Sequence, residues 1–218
     1  MLRLERWTDP LTESNCYLLG EGGYGAVIDP NDPKGPLERL EELGWEVEWI
    51  LLTHEHCDHM AGLEALRRRW PGAQVVCSAA CNEGIQNRRQ NMSLMMEVYL
   101  SFRGKPGVSY APFVCRPAEV AYDLRWETVW RGHRLTAQAL PGHTPGSACI
   151  GLDGERVFTG DYLIPGEEVI LRLPGGDEGD YRRSARPFLA GLPLGMAICP
   201  GHGAPYTLTE KERSEHGL

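Results

Sequence analysis

The sequence predicts a mixed α/β layered fold, and three observations carry that reading. Strand-like and helix-like runs alternate through the first half, the second half is a succession of strands, and one helix and one strand close the chain. The apolar runs "NCYLLG" (15–20) and "YGAVIDP" (24–30) are joined by "EGG" and form a hairpin. "PLERLEELG" (36–44) places Leu37, Leu40 and Leu43 on one helical face and ends in a glycine stop. "VEWILLT" (47–53) is a continuous apolar run, the mark of a buried strand. A helix over "GLEALRRRW" (62–70) stops before Pro71, and "AQVVCS" (73–78) is the next strand. "NMSLMMEVYLSF" (91–102) has helical spacing, whereas "GKPGVSYAP" (104–112) reads as loop. Strands follow at "AEVAYD" (118–123), "ETVWRG" (127–132), "LTAQALPG" (135–142), "SACIGLDG" (147–154) and "RVFTGD" (156–161). A helix around 180–192 and a strand at "MAICPG" (196–201) complete the order.

At 218 residues the chain suits one well-packed domain, 1–218, with a partly helical insert around 79–117. The net charge of −8 argues against a nucleic-acid partner, because phosphate binding needs a basic face. The run Arg67, Arg68, Arg69 reads as the solvated end of a helix. No signal-peptide pattern and no run of about 18 apolar residues occurs, so no membrane partner is expected and the location is expected to be cytoplasmic. The seven cysteines form no CxxC pair and are odd in number, which points to reduced core residues rather than disulfides. Cys77 and Cys81 are spaced to share a helix face, with nothing nearby to complete a zinc knuckle.

"GEGGYG" satisfies GxGxxG at Gly20, Gly22 and Gly25. A dinucleotide site needs a helix after those glycines, whereas "AVIDP" is a strand, so they are hairpin glycines. The chemistry is concentrated instead in "THEHCDHMAG" (53–62), which holds His54, His56, Asp58 and His59. At this chain's own residue frequencies HxHxDH arises by chance on the order of 3 × 10⁻⁴ times per chain, which favours a functional origin. His54 and His56, two apart on an extended segment, can point to one side. Asp58 and His59 begin the next turn and face a neighbouring point. Imidazole nitrogens and carboxylate oxygens are zinc-type donors. Three more donors follow apolar runs: His143 in "ALPGHTPGS", Asp161 in "VFTGD" and His202 in "AICPGHG". Each alone is more often a turn residue. Strands running in a common sense would deliver them all to one edge, and the full donor set suits two ions sharing a carboxylate. His133 and His216 lack this context and receive no role.

The motifs "THEHCDHMAG", "PGHTPGS", "FTGD" and "PGHG", in this order, resemble the metallo-β-lactamase superfamily, and within it the glyoxalase II-like (hydroxyacylglutathione hydrolase-like) branch. The resemblance runs from "NCYLL" to "PGHG" and includes "LPGGDEGDYRRS" (173–184). It implies a four-layer αββα sandwich of two mixed β-sheets flanked by helices, with the metals at one edge. It assigns His54, His56 and His143 to one ion, Asp58, His59 and His202 to the other, and Asp161 to both. The implied cofactors are two Zn²⁺ per chain, with iron or manganese as alternatives. The implied activity is hydrolysis of a thioester or ester in a small-molecule substrate by an activated water, with Asp58 catalytic. The alternatives are a mononuclear iron sulfur dioxygenase of the persulfide dioxygenase kind and a lactonase. Flavodiiron relatives carry Glu at the motif position that His56 occupies, which sets them aside.

Only sixteen residues follow His202, so the C-terminal helical extension that grips glutathione in glyoxalase II enzymes is expected to be absent, and efficient cleavage of glutathione thioesters with it. In the insert, Met92, Met95, Met96, Tyr99 and Phe102 follow helical spacing. They form a core-packed helix, a pocket wall or a homodimer face. Arg88, Arg89, Arg182, Arg183 and Arg186 read as solvated surface, with an anionic substrate as the alternative. Cys57 reads as structural filler, whose nearness to a metal site would make it oxidation-sensitive.

Overall fold

Side chains alternate across a strand, so a strand apolar at every position must be covered on both faces. The run that begins at Asn15 does this: Cys16 and Leu18 turn to one side, Tyr17 and Leu19 to the other, and all four are buried. The computed structural model, which describes residues 1–218, shows what covers them. One six-stranded sheet is ordered β1 (Arg3–Thr8), β2 (Asn15–Glu21), β3 (Tyr24–Ile28), β4 (Glu46–Leu51), β5 (Gln74–Ser78) and β6 (Val120–Tyr122). The second runs from β7 (Arg125–Trp130) through β8 (His133–Ala139), β9 (Ala148–Leu152), β10 (Arg156–Gly160) and β11 (Ala197–Pro200) to β12 (Tyr206–Thr207).

Tyr17, Leu19 and Ile28 of the first sheet pack with Leu135, Ile150 and Phe158 of the second in the inner core. On the outer face of the first sheet lie α1 (Gly35–Leu43), α2 (Cys57–Met60), α3 (Leu63–Arg69) and α4 (Ala79–Gly84), through Leu40, Met60, Leu66 and Cys81. After α5 (Met96–Phe102) in the insert come α6 (Glu178–Asp180), α7 (Arg186–Ala190) and α8 (Glu210–Glu215). Leu189 of α7 covers the outer face of the second sheet with Cys149, Val157 and Ile198. The result is the four-layer αββα sandwich of two mixed sheets. No helix is long and apolar enough to cross a membrane.

The β2–β3 hairpin pairs Glu21 with Tyr24 and leaves Gly22 and Gly23 as a two-residue turn. Both have positive φ, 60° and 85°, the conformation that matches strand twist in such turns. Strand direction then positions the site. β3, β4 and β5 run parallel, and in the other sheet β10 is parallel to β11 while β8 and β10 both oppose β9. The carboxyl ends of β4, β8, β10 and β11 therefore open on one edge.

Several expectations need correction. Val120–Tyr122 pairs with β5, so the insert is a crossover inside the first sheet. The helix expected over 91–102 begins only at Met96. Asn91 is held in a turn, its carbonyl accepting from the Cys57 N–H at 2.8 Å and its side chain from the Ser93 N–H at 2.9 Å, while Met92 takes a left-handed φ of 64°. Cys77 and Cys81 do not share a helix: Cys77 lies in β5, and the Ser78 hydroxyl caps α4 by accepting from the Cys81 N–H. The helix near 180–192 spans α6 to α7 but contains a wider π turn at Tyr181–Ala185 before Pro187, which has no N–H to donate.

Candidate metal centre

The strand exits bring all seven donors together. Beyond β4 the chain stays extended to His56 and then turns into α2, so His54 and His56 precede the helix while Asp58 and His59 sit on it. Donor atoms of His54, His56, His143 and Asp161 lie within 4.8 Å of one another, as do those of Asp58, His59 and His202. Asp161 faces both groups. Its Oδ2 is 3.4 Å from His143 Nε2, and its Oδ1 is 3.2 Å from His59 Nε2 and 3.6 Å from His202 Nε2.

Three residues without a sequence assignment organise this cluster. Asp29, just past β3, accepts from the Thr53 N–H at 2.7 Å and the Thr53 hydroxyl at 2.6 Å. Its Oδ2 also lies 3.1 Å from His59 Nδ1. With its proton given to Asp29, the Thr53 hydroxyl accepts from His54 Nδ1 at 3.0 Å. In the neutral rings these bonds put the protons of His54 and His59 on Nδ1 and leave each Nε2 as a lone pair. His143 Nδ1 donates to the Ile170 carbonyl at 2.8 Å, so its Nε2 is likewise a lone pair, 3.1 Å from His56 Nδ1. Asn15 ties the last motif to the first sheet: its N–H donates to the Gly201 carbonyl at 2.6 Å and its side-chain amide to the Pro200 and Gly203 carbonyls at 3.0 and 2.8 Å.

The electrostatics match cation binding. Burial holds the rings of His54 and His143 below their ordinary value and takes His56 to about 3, so these imidazoles are neutral. Burial opposes charge on Asp58 too, but His59 and His202 outweigh it and bring the carboxyl to about 2. Burial likewise opposes charge on Asp161, and His202 and His59 override it. Against burial, Asp161 and Asp58 raise His59 and His202, a pull toward positive charge that a bound cation would answer in place of a proton. His54 Nε2, His56 Nε2, His59 Nε2 and Asp161 Oδ1 are buried without a hydrogen-bond partner. Buried polar atoms that converge without a hydrogen-bond partner fit positive ions, because orphaned buried polar groups are otherwise costly.

The neighbouring backbone is shaped to this cluster. A Cβ on Gly201 would lie 2.6 Å from Asp161 Oδ1 and 2.7 Å from His59 Cε1. Gly201→Ala should therefore weaken metal retention by about 10-fold or more, read by chelator competition. Wild-type affinity in this variant would show that the close approach is dispensable. Glu55, buried between two ligand positions, accepts from the Thr144 hydroxyl at 2.8 Å and joins the motif to the loop carrying His143. Burial raises its carboxyl to about 7.

His56, Asp58 and Asp161 form the polar end of a narrow cleft whose other lining residues are Met92, Met96, Tyr99, Ile170 and Leu173. The insert thus serves both as core-packed helix and as pocket wall: Met92, Met96 and Leu100 bury Cys57 while Tyr99 faces the cleft. Met95 and Phe102 are exposed. Burial, then Asp58, hold the Cys57 thiol well above its ordinary value, which suits filler and not an oxidation-sensitive thiol. Arg182 pairs with Glu178, Arg183 with Asp180, and Arg186 with the Gly217 carbonyl; no arginine lines the cleft.

An αββα sandwich with this double His/Asp cluster at its strand exits defines a class of candidate metal-binding proteins. The chain belongs to the metallo-beta-lactamase superfamily, whose profile matches residues 9–202. It is similar to the hydroxyacylglutathione hydrolase of Acidiphilium cryptum, with 39% identity over 94% of this chain and 70% of that one. The hydroxyacylglutathione hydrolase of Anaeromyxobacter dehalogenans is 31% identical over 87% of this chain, which spans only 61% of that relative's length. The crystal structure of BLEG-1 B3 metallo-beta-lactamase shares the fold, with a TM-score of 0.79 at 22% identity and 94% of each chain covered.

Proposed function

We propose that the protein is a hydrolase of small-molecule thioesters or esters that holds two zinc ions per chain and works in the cytoplasm. The observation that carries this reading is Asp161, whose two oxygens face separate groups of ligand-type nitrogens, His143 on one side and His59 and His202 on the other. His54, His56 and His143 would hold one ion, Asp58, His59 and His202 the other, and Asp161 both. Such ions polarise a carbonyl and lower the pKa of water toward about 7. The residues of the chain supply the rest. Asp58, ionised at neutral pH, orients the attacking water and takes its proton. Water oxygen bonds to the carbonyl carbon, the C–S or C–O bond breaks, and Asp58 passes the proton to the departing thiolate or alkoxide. Met92, Met96, Ile170 and Leu173 limit bulk water at the reacting carbon. The seven unpaired, buried cysteines support a reducing compartment.

Metal analysis of protein purified without added metal, followed by a thioester, lactone and persulfide panel, tests the proposal. About two zinc equivalents and thioester turnover are expected. A single iron with oxygen-dependent persulfide oxidation would sink it.

The lining also sets an expectation for substrate choice. The cleft presents apolar side chains and no lysine or arginine to the carboxylates of a glutathione group. Acyl-glutathione should not exceed the same acyl group on a small uncharged thiol by more than about 100-fold in kcat/KM, worth roughly 2.7 kcal/mol. A larger preference would reveal a dedicated glutathione site.

A further inference from the structure

The hydroxyls of three other shielded tyrosines are spent on the fold. Tyr17 donates to the Pro200 carbonyl at 2.8 Å, Tyr162 to the Leu140 carbonyl at 2.7 Å, and Tyr206 to the Leu163 carbonyl at 3.1 Å. Tyr99 differs: it is half-buried, lines the cleft with His56, Asp58 and Asp161, and its phenol makes no hydrogen bond to the protein. With no partner in the protein, the Tyr99 hydroxyl is free to donate to what occupies the cleft.

We propose that Tyr99 is a catalytic residue whose phenol donates a hydrogen bond to the substrate's carbonyl oxygen as charge builds there. The proposal rests on the hydrolase reading above. Its side chain stands on α5, a helix fixed from below by Met96 and Leu100 packed on Cys57. Arg103, one turn on from Tyr99, reaches Glu167 at 3.8 Å in the loop that carries Ile170 and Leu173, which ties the two walls together. A donor on a fixed element facing the reacting group stabilises developing charge without reorganising, the condition under which such donors act most strongly. Proton loss is disfavoured, since burial, then Asp58, push the phenol up to about 12 and keep it a donor at working pH. Ionised Asp58 and Asp161 cannot donate, and Tyr99 carries the one hydroxyl among the cleft residues.

Tyr99→Phe keeps the ring, and with it the wall, and removes only the hydroxyl. Metal content should equal that of the wild type, KM should change little, and kcat should fall by about 10- to 100-fold. A readout independent of turnover is the affinity of a phosphonate ester that mimics the tetrahedral, negatively charged oxygen. Tyr99→Phe should weaken the phosphonate by about 10-fold or more while leaving the carboxylic acid product bound about as in the wild type. Equal phosphonate affinity in the two proteins overturns the role of Tyr99, even if kcat falls. A metal-loaded wild-type protein inert toward every thioester and ester would overturn the hydrolase reading and the role of Tyr99 with it, whereas an active wild type with equal phosphonate affinity in Tyr99→Phe overturns Tyr99 alone.

Discussion

Replacing Asp58 with Asn is expected to lower kcat by at least about 100-fold, the usual scale for losing a positioned proton acceptor. The side chains have nearly the same volume, and the Asp58 backbone carbonyl keeps its 2.7 Å hydrogen bond from the Ser14 hydroxyl. What disappears is the negative charge, which His59 and His202 hold in place against burial at a pKa of about 2. An amide cannot accept the water's proton at any working pH, so the loss should persist across the pH profile rather than shift it. The fold should tolerate the change: the melting temperature should move less than for truncation of Leu18 or Ile50, where lost packing costs about 2–5 kcal/mol. Steady-state kinetics, metal analysis and thermal melts on one preparation separate these effects. Undiminished turnover would remove Asp58 from the mechanism.

What the sequence made legible follows from how each signal is written. HxHxDH is local, so spacing alone exposed His54, His56, Asp58 and His59. His143, Asp161 and His202 were found because each follows an apolar run that ends at the same edge. Asp29 obeys that rule too, closing "YGAVID", but a lone Asp before Pro is an ordinary turn residue, and its bond to His59 spans 30 positions. Asn15 was equally hidden, since its partners Pro200 and Gly203 lie in the other sheet. The strands β1 and β12 escaped notice because edge strands carry little continuous apolar pattern; β1 alternates between exposed and half-buried residues. The late start of α5 depends on Asn91 bonding to Cys57 and Phe113, contacts that periodicity does not encode. The resemblance to a known family supplied the four layers, where the alternation of elements gave only a mixed α/β class. The pocket-wall role of the insert became visible only when the crossover from β5 to β6 set Tyr99 opposite the ligand cluster.

Asp161→Ala is expected to have the largest effect of all, because its two oxygens serve different halves of the site. Oδ2 stands 3.4 Å from His143, and Oδ1 stands 3.2 Å from His59 and 3.6 Å from His202. Removing a residue that merely orients a ligand, as Asp29 does for His59, typically costs 10- to 100-fold in metal affinity. Removing a donor shared by both ions should cost more than about 100-fold for each, and turnover should fall toward background. Truncation also leaves His59 without the carboxylate that most favours its charged form, in a fully buried position. The protein should therefore be compared with metal-stripped wild type by circular dichroism, so that lost metal is not confused with lost fold. Competition with a chelator, counting equivalents per folded chain, reads the result. His143→Ala provides the contrast, since it removes a donor from only one group and should spare the ion held by Asp58, His59 and His202. If folded Asp161→Ala still holds one ion as tightly as wild type, Asp161 does not bridge, and the two-metal reading of the cluster fails.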